Sequence, residues 1–569
     1  MDKIRILLLT AVLFLVGLVA FGLGSRPKVI DIESSSFSAE RVVEDIRVMS
    51  HDLHSVAHPK ERAEVREYLV SRLEQLGADT VELFEYKALS GPEKKHVKYT
   101  FDVTNILATF APEQEYETSL LLVAHYDSRF SQPFAKGDTV WSYGAADDGY
   151  GVGVILETVN QALKYRKDWK QGIKVLFTDA EEAGMMGMKT MWKHNREQFD
   201  DVGLMINLEA RGPYGPALLF ETSPGNKNVM DLYQSAAEYP FTYSLTTVVY
   251  QFMPNYTDFT IVKDDIPGLN FSTIADINHY HTHLDNLSNI NTKSIQHYGS
   301  QVVPVVHEYL TNDKYSDPAS LKADSDTINF TLPLLGLFNF TKVEYTVLNI
   351  VIFVLFIVLV AVDVLRQRVR LGKILLIASK SFFGAFAAIV VGELVAYICC
   401  IVAGAQFKPF GVVMGVMFDN MAMLVAVVIL FALFVVAYIR KRNKLVELTG
   451  SLLRADAGIV AALSNASNRL YGTSLLMLLF SALLLVFINE NLMFFIPLSA
   501  MTIAMILYRV TGLKVVLLLG IALIVLHALS FLYALAMALT IGAFGAVLML
   551  ALLDIMVVVP LVEIYLTKK

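Results

Sequence analysis

The sequence predicts two structures in one chain: an α/β domain with a mostly parallel mixed sheet sandwiched by helices, and an α-helical multi-span membrane domain. Three observations support this prediction. Hydrophobic residues make up 54% of the 569 residues and charged residues 18%, against roughly 25% charged residues in an average soluble domain. The apolar excess is confined to the start and the C-terminal part of the chain. Between these parts, short helical and β-strand patterns alternate, which is typical of α/β proteins.

The chain opens on an apolar segment, residues 6–24, that contains no charged residue. This segment is long enough to span a bilayer, whereas the apolar region of a secretory signal peptide covers only about 7–15 residues. We therefore assign residues 1–25 to an uncleaved N-terminal transmembrane anchor.

Residues 26–344 have the composition of an ordinary soluble domain. Helical patterns occur at 39–50, 60–77, 150–165, 185–197, 226–238 and 293–311, and β-rich runs at 103–110, 119–125, 173–178, 203–208, 217–221 and 267–273. The alternation is complete by about residue 312. It predicts a largely parallel sheet with helices on both faces, and such sheets bind ligands at the carboxyl ends of their strands.

Residues 345–569 are predicted to form a transmembrane domain of about seven helices. The apolar runs lie at 346–365, 381–404, 418–439, 472–489, 493–508, 514–533 and 541–562. Together with the anchor, these runs make eight predicted spans.

The short loops between the spans differ strongly in charge. Sixteen basic residues lie on one side: Lys3, Arg5, Arg366, Arg368, Arg370, Lys373, Arg440, Lys441, Arg442, Lys444, Arg454, Arg469, Arg509, Lys514, Lys568 and Lys569. The short loops on the other side contain Lys408. Because basic loops stay in the cytosol, the sequence predicts cytosolic termini and an extracytoplasmic domain at residues 26–344.

Charge and cysteine content exclude other classes of protein. The formal net charge of −7 gives no basic surface, so no nucleic-acid partner is expected. Cys399 and Cys400 are the only cysteines and lie in an apolar run. This excludes a disulfide scaffold and a thiolate zinc site in the polar domain.

Histidine and carboxylate residues follow the predicted strands in five segments. These segments are His125–Ser128, Gly144–Gly149, Asp179–Gly184, Leu208–Ala210 and His279–Asp285. Each segment alone has a simpler explanation, such as a surface loop, a helix cap or a charge that favours the helix dipole. Their joint position at the carboxyl ends of strands in one sheet favours a shared site. Imidazole and carboxylate groups without a thiolate suit Zn²⁺ or a similar divalent metal.

These motifs, HYDS, GAADDG, DAEEAG, NLEARG and YHTHLDN, resemble those of metallopeptidase family twenty-eight, the co-catalytic di-zinc aminopeptidases and their relatives. The resemblance covers about residues 40–312. The order of anchor, extracytoplasmic peptidase domain and multi-span block looks like the endoplasmic-reticulum metallopeptidase and vacuolar membrane protease branch. The resemblance implies a zinc-aminopeptidase-like fold, two Zn²⁺ per chain, a peptide substrate and attachment to a lipid bilayer.

The resemblance also implies a role for each motif residue. His125 and Glu209 would bind the first zinc, Glu182 and His281 the second, and Asp147 would bridge both. Asp127 would orient His125, Asp148 would follow Asp147 across a peptide that is often cis in this family, and Glu181 would be the general base. By spacing alone, His279, His281 and His283 are equivalent candidates, and the Tyr-His-Thr match to the family selects His281.

These residue types suit peptide hydrolysis. Two metals about 3.5–4 Å apart need one carboxylate that can bridge them, and together they activate a water and polarise the scissile carbonyl. A further carboxylate must accept the proton of the water and pass it to the leaving amine. The implied function is a membrane-bound zinc-dependent exopeptidase, an aminopeptidase with Glu181 as general base.

Two other functions fit the same fold. A non-catalytic membrane chaperone or binding protein is disfavoured because all five ligands and the base are present. Glutaminyl-cyclase-like acyl transfer usually uses one zinc, so the pair Glu182 and His281 argues mildly against it.

Three ionisable residues, Glu393, His527 and Asp554, lie within the predicted spans, where placing such side chains costs free energy. They are explained either by hydrogen bonding between helices or by a role in transport or substrate delivery.

The short chain and the cysteine-free outer domain favour a bacterial cytoplasmic membrane. The alternative is a eukaryotic endomembrane with a lumenal peptidase domain. In that compartment the Asn-x-Ser/Thr sequences would matter as glycosylation sites; they begin at Asn255, Asn270, Asn286, Asn329 and Asn339. The sequence carries no signal for an oligomeric state.

Overall fold

A computed structural model describes residues 2–25, 27–90, 100–130, 132–133, 139–251, 256–413, 416 and 455–567. The predicted span at 418–439 and the sequence match at Asn255 lie outside these described residues. The chain divides into two compact units. The α/β unit is Leu23–Lys342, and the apolar unit is Met1–Gly22 with Val343–Lys569.

The elements up to the end of the α/β unit agree closely with the sequence patterns. The helices are α1 (Asp2–Gly24), α2 (Ala39–Met49), α3 (Pro59–Gln75), α4 (Gly149–Ala162), α5 (Met186–His194), α6 (Lys227–Ala236), α7 (Ser244–Gln251), α8 (Phe259–Val262) and α9 (Thr292–Thr311). The strands are β1 (Thr80–Ser90), β2 (Thr100–Phe110), β3 (Ser119–His125), β4 (Gln132–Pro133), β5 (Thr139–Val140), β6 (Gly172–Thr178), β7 (Val202–Ala210), β8 (Leu218–Thr222), β9 (Gly268–Thr273), β10 (Thr327–Leu332) and β11 (Gly336–Thr341). All six predicted helices and all six predicted strands are present.

Seven strands form one mixed sheet in the order β1-β2-β6-β3-β7-β9-β8. The four central strands β6, β3, β7 and β9 are parallel neighbours. The flanking strands pair antiparallel, β1 with β2, β2 with β6 and β8 with β9. The parallel centre brings the carboxyl ends of β3, β6 and β7 to one edge, which is where the site is predicted.

The two faces of the sheet bury separate hydrophobic layers. In β3, Leu120 and Leu122 pack into the larger layer with α2, α4 and α9, whereas Leu121 and Val123 pack into the smaller layer with α5 and α8. Every residue of β3 is buried, because a parallel strand at the centre of such a sheet is covered on both faces. The structure therefore confirms the predicted fold class.

The α/β unit also contains elements that the sequence patterns do not predict. They are β1, the hairpin β10–β11 and the helices α7 and α8. As an edge strand, β1 exposes much of its length, so charged residues break its apolar pattern. The unit extends well beyond residue 312, because Leu321 and Leu337 belong to its larger hydrophobic layer.

The described part of the apolar unit consists of long helices. After α1 these are α10 (Lys342–Leu365), α11 (Leu371–Ala403), α12 (Ala455–Ile488), α13 (Leu492–Thr511), α14 (Val515–Leu539) and α15 (Phe544–Leu566). Among the described residues, five stretches are long and apolar enough to cross a membrane, and the last of them, Val515–Leu566, contains both α14 and α15. The apolar part of α1, Leu8–Gly24, is shorter.

Polar side chains join helices within the apolar unit. Glu393 on α11 accepts a hydrogen bond from the backbone N–H of Gly545 at 3.2 Å, which favours the explanation by interhelical bonding. Near the end of α10, the fully buried Asp363 accepts hydrogen bonds from Tyr471 at 2.8 Å and Arg509 at 2.9 Å. This buried ion pair connects three helices and has no counterpart in the sequence prediction.

Candidate active site

The structure brings the five predicted metal ligands together. Their side-chain nitrogen and oxygen atoms form two groups, and within each group these atoms lie within 4.8 Å of one another. One group contains His125, Asp147 and Glu209, and the other contains Asp147, Glu182 and His281. Asp147 belongs to both groups, which is the position a bridging carboxylate requires.

His125 is the last residue of β3 and is buried. Its Nε2 lies 3.3 Å from Asp147 Oδ1 and 3.7 Å from Glu209 Oε2. Its Nδ1 lies 2.9 Å from the backbone oxygen of Asp127. A proton on Nδ1 donated to this oxygen leaves Nε2 as a neutral donor atom for a metal, so Asp127 orients the ring through its main chain.

Asp147 and Asp148 lie at the start of α4. The peptide bond between them is cis. Asp148 caps α4 by accepting a hydrogen bond from Gly151 N at 3.0 Å, and its other oxygen accepts from His125 N at 3.3 Å. The prediction that every segment directly follows a strand of the sheet is wrong here, because a loop of irregular structure leads into Asp147.

Asp285 connects the two loops that carry Asp147 and His281. Its Oδ1 accepts a hydrogen bond from Ala146 N at 2.7 Å, and its Oδ2 accepts from Ser142 Oγ at 2.9 Å and from Asp147 N at 3.4 Å. The sequence motif that contains His281 ends at Asp285, but the sequence alone assigned no role to this carboxylate. Its role depends on a contact between residues that are far apart in the chain.

Glu181 and Glu182 lie in a turn after β6. The helix α5 begins only at Met186, close to the predicted start at residue 185, because Ala180 and Met185 have φ angles of 57° and 58° and interrupt the helical path. Glu182 is buried and Glu181 is partly exposed. The turn is held by the N–H of Glu181, which donates to Asp127 Oδ1 at 2.9 Å.

Arg129 is a site residue that the sequence analysis missed. Its Nη1 lies 2.8 Å from both the backbone oxygen and Oε2 of Glu182. The other oxygen of Glu182, Oε1, lies 2.9 Å from His281 Nε2. Arg129 thus holds one oxygen of Glu182 and leaves the other directed to the ligand group. It lies just after the HYDS segment, but no spacing rule marks it.

Glu209 ends a chain of buried hydrogen bonds. Asn207 Nδ2 donates to Glu209 Oε1 at 3.1 Å and to Asn270 Oδ1 at 3.0 Å. Asn270 Nδ2 donates to Glu221 Oε2 at 3.1 Å, and Lys263 Nζ lies 2.6 Å from Glu221 Oε1. Asn270 is fully buried, so its match to the glycosylation pattern does not provide an accessible site in the folded unit.

His281 lies in a loop eight residues beyond the end of β9. Its Nε2 lies 3.2 Å from Asp147 Oδ2, and the ring of Tyr280 stacks on it at 3.6 Å. His279 Nδ1 instead lies 3.1 Å from Asp276 Oδ2, and His283 is exposed. Among the three histidines of this loop, the geometry therefore selects His281.

The donor set fits a divalent cation. Asp147 Oδ2 and Glu182 Oε1 are buried and form no hydrogen bond with the described residues, although both lie close to His281 Nε2. Three carboxylates and two imidazoles face one another in this buried space. Carboxylates at such separations repel unless a cation or a proton lies between them. Because Asp147 directs one oxygen to each group, the arrangement has room for two ions.

The two adjacent glutamates differ in protonation. Burial raises the pKa of Glu181 well above its usual value, and the charges of Glu209 and Asp258 add to this rise against the effect of His125. Burial also acts to raise the pKa of Glu182, but His281 and Arg129 outweigh it and hold this pKa well below its usual value. Glu182 therefore stays ionised, as a ligand must, while Glu181 is suited to exchange a proton.

Asp258 is a second buried carboxylate that the sequence analysis missed. It precedes α8, and its Oδ2 accepts a hydrogen bond from Thr178 Oγ1 at the end of β6. Burial raises the pKa of Asp258 to about 6. Neither its neighbours in sequence nor its spacing from the five motifs could have identified it.

Comparison with known proteins relates part of the chain to peptidases. Residues 105–306 match the family model described as peptidase family M28. The chain is 30% identical over 220 residues to endoplasmic reticulum metallopeptidase 1 of Homo sapiens, a match that covers 38% of this chain and 23% of that protein. It is 27% identical over 304 residues to a vacuolar membrane protease of Candida dubliniensis, covering 51% and 30%. The chain thus spans less than a third of the length of these relatives.

Two solved structures align with about half of the chain. One is a glutaminyl cyclase of Porphyromonas gingivalis, with 20% identity, a TM-score of 0.40 and coverage of 49% of this chain and 100% of that chain. The other is a Zn-dependent exopeptidase from Parabacteroides distasonis, with 19% identity, a TM-score of 0.38 and coverage of 48% and 98%.

The family match includes all five ligand-bearing segments in full. One relative is named an endoplasmic reticulum metallopeptidase and the other a vacuolar membrane protease. Residues 105–306 of this chain are thus similar to peptidase family M28.

Proposed function

We propose that this chain is a membrane-bound zinc-dependent exopeptidase, an aminopeptidase that hydrolyses N-terminal peptide bonds with Glu181 as general base. The observation that carries the proposal is the position of Asp147, whose two oxygens face two complete groups of ligands. A site with one catalytic ion would not need a shared carboxylate. The identity of the family supports peptide hydrolysis as the reaction.

The five residues would hold two ions, with His125 and Glu209 on one, Glu182 and His281 on the other, and Asp147 on both. When bound, the ions supply Lewis-acid chemistry, which makes a water more acidic and polarises the carbonyl of the scissile bond. The side chains of the protein position the ligands and transfer the proton. Asp127, Asp285 and Arg129 hold the ligands in position through the contacts described above.

Glu181 is the residue proposed to move the proton. It is the neighbour in sequence of the ligand Glu182, it is partly exposed, and it is not a member of either ligand group. Its raised pKa suits a group that accepts a proton from water and returns it to the leaving amine. A base that was consumed as a metal ligand could not do this.

The apolar helices support attachment to the membrane. We propose that α1 is the N-terminal anchor, that residues 26–344 are extracytoplasmic, and that the substrate is therefore a peptide outside the cytosol. The asymmetry of basic residues in the short loops supports this orientation. A bacterial cytoplasmic membrane is proposed, with a eukaryotic endomembrane as the alternative compartment.

Metal content and substrate profile together test the function. The purified full chain is loaded with zinc, desalted and measured by elemental analysis, and then assayed on aminoacyl, N-acetylated and N-terminal glutaminyl peptides. We expect two ions per chain, cleavage of free N-termini and no cleavage of acetylated substrates. Asp147→Asn should lower both metal content and activity, whereas Asp313→Asn, at an exposed carboxylate, should change neither.

Other results would replace the proposal. One ion per chain with cyclisation of glutaminyl peptides and no hydrolysis would establish the cyclase-like function. Two ions with no turnover of any peptide would favour a binding protein. Cleavage of blocked peptides at internal bonds would contradict the assignment as an exopeptidase.

A further inference from the structure

The hairpin β10–β11 carries two exposed leucines at its turn. The last cross-strand pair is Leu332 with Gly336, so Pro333, Leu334 and Leu335 form the connection. Leu334 is 62% exposed and Leu335 is 53% exposed. Turn positions usually hold Gly, Asn, Asp or Ser, which satisfy the backbone and remain soluble. Two adjacent leucines are therefore an unusual choice for a turn in water.

The backbone makes this choice more unusual. Leu334 has a φ of 66°, which is in the left-handed region where a leucine is strained and Gly or Asn is not. Both the conformation and the exposure of this position favour another residue. A favourable contact of the leucine with an apolar environment would offset both effects.

The two faces of the hairpin differ in chemistry. One face is apolar throughout and consists of Ile328, Phe330, Leu332, Phe338 and Phe340. The other face attaches the hairpin to the α/β unit. There, Thr327 N donates to Asn226 Oδ1 at 2.8 Å, and Asn339 Nδ2 donates to Asp231 Oδ1 at 3.1 Å. On the apolar face, Ile328, Phe330 and Leu332 are buried, whereas Phe338 and Phe340 are partly exposed.

Both ends of the α/β unit lie at this hairpin. A Cβ atom added to Gly24 would lie 2.9 Å from Leu334 N and 3.2 Å from Pro333 Cα, so Gly24, the first part of the α/β unit together with Leu23, packs against the leucine turn. At the other end, β11 continues directly into α10 at Lys342. Leu23, next to Gly24, is 65% exposed. An apolar surface is therefore continuous from the last turn of α1 to the tip of the hairpin.

We propose that the turn Pro333–Leu335 inserts into the interfacial region of the lipid bilayer, next to the end of α1. The proposal rests on the proposed function of α1 as a membrane anchor. Exposed leucines gain by burial at the boundary between headgroups and acyl chains. We choose the lipid surface as the partner because the chain enters this apolar surface from the predicted span in α1 and leaves it into the predicted span in α10.

A fluorescent probe at the turn tests the proposal. In the full chain with Cys399→Ala and Cys400→Ala, Leu334→Cys is labelled with nitrobenzoxadiazole and reconstituted into phosphatidylcholine vesicles. Leu83→Cys is the matched control, because Leu83 is 48% exposed on β1. The strands β1 and β8 form the two opposite edges of the sheet. The segment Thr242–Tyr243 joins the hairpin to the β8 edge, so Leu83 lies at the edge that is far from the hairpin. Leu15→Cys, at a 61% exposed position of α1, reports on the anchor itself.

At position 334 we expect blue-shifted emission, quenching by nitroxide-labelled lipid and little quenching by aqueous iodide. The probe at position 83 should show the reverse. If position 334 behaves like position 83 while position 15 is quenched by the labelled lipid, the inference about the turn is wrong and the anchor stands. If position 15 is also insensitive to the lipid, the anchor itself is wrong and the inference fails with it. Leu335→Cys should give the same result as Leu334→Cys. Agreement between the two variants shows that the result does not come from a single variant whose fold is altered by the substitution.

Discussion

Glu181 and Glu182 are adjacent residues of the same type, and their neighbours separate their chemistry. Glu182 has one oxygen on Arg129 and the other toward His281. Glu181 has a buried environment that favours its protonated form. The difference arises because the turn at 181–185 directs two consecutive side chains to different surroundings.

Exchange of each glutamate for glutamine should separate these roles. Glu181→Gln should retain both ions and the KM while kcat falls by about 10⁴-fold or more, at or above the top of the range of about 10²–10⁴-fold that a general base usually contributes. Glu182→Gln should lose metal and activity together. Elemental analysis and steady-state kinetics on the two variants measure this. Loss of metal in the Glu181 variant with retention in the Glu182 variant would mean that the two roles are exchanged.

The buried amides behind Glu209 are a second feature at the residue scale. Asn207 has donors directed to both Glu209 and Asn270. A carboxylate that carries a metal on one oxygen is oriented by the hydrogen bond to its other oxygen. In the proposed two-ion site, Asn207 would therefore position one ion and not the other.

Asn207→Leu should weaken one of the two ions selectively. The loss of a partner of this kind typically costs about 10–100-fold in metal affinity, so the variant should bind one ion normally and the other more weakly. Competition with a chelator measures the two affinities, and excess zinc should restore much of kcat. Asn160→Leu, on α4 where Asn160 donates to Glu157, is the control. Equal weakening of both ions would indicate general damage to the fold.

At the scale of elements, the ligands come from connections between regular elements. Only His125 and Glu209 lie in strands, whereas Asp147, Glu182 and His281 lie in loops or turns. The sheet supplies rigid ends, and the loops are held to one another by carboxylates such as Asp285. Helix α9 contacts this arrangement through Tyr298, whose hydroxyl donates a hydrogen bond to the backbone oxygen of Glu209.

His297 on α9 should make the folded state less stable at low pH. It is buried, its Nδ1 accepts a hydrogen bond from Ala217 N at 3.1 Å, and burial lowers its pKa from 6.5 to about 3. The unfolded chain therefore binds a proton near pH 6.5 that the folded chain does not. Stability is complete above pH 6.5 and is lost as the pH falls from 6.5 toward 3, by up to about 1.4 kcal/mol per pH unit.

His297→Gln tests this effect, because glutamine keeps an acceptor for Ala217 N and does not titrate. Between pH 7.5 and pH 5, the wild type should lose about 2 kcal/mol more stability than the variant. Thermal unfolding of the full chain in detergent at both pH values measures the difference. His307→Gln, at an exposed position of the same helix, should behave as the wild type. Equal acid sensitivity of all three proteins would contradict the prediction.

At the scale of the whole molecule, charge determines the predicted orientation. Sixteen basic residues occupy the short loops on one side of the predicted spans, against Lys408 on the other. We therefore predict that residues 26–344 lie outside the cytosol. Protease treatment of intact cells or sealed right-side-out vesicles should digest this region, and detergent should then expose the rest. Full protection of residues 26–344 before lysis would reverse the orientation.

The α/β unit should fold without residues 346–569. Its two hydrophobic layers are built from residues between Phe37 and Leu337. A fragment must include β10–β11, since an end at residue 330 would cut through β10. We expect a fragment of residues 26–341 to be soluble, cooperative in unfolding and able to bind zinc. An aggregated fragment without zinc would show that the unit depends on the membrane helices.

Much of this architecture can be read from local patterns. The alternation of β-strand and helix patterns along the chain predicted the central elements of the sheet, because β3, β6 and β7 are buried on both faces and flanked by amphipathic helices. The sequence patterns did not predict the edge strand β1 or the hairpin β10–β11. The side chains of β1 are partly exposed, and the two faces of the hairpin contact different surroundings, so neither element shows a simple apolar pattern. The turn at Glu181–Met185 was not predicted, since left-handed Ala180 and Met185 leave no mark in the sequence.

Hydrophobic periodicity and short motifs were enough to predict the fold class, the resemblance to a peptidase family and the set of candidate ligands. Three features became apparent only in the folded chain: which histidine of the 279–283 loop faces Asp147, which glutamate is held by Arg129, and which carboxylate joins the two loops. These are contacts between residues far apart in the chain. Their energies depend on distance and burial in three dimensions, and no local pattern encodes either quantity.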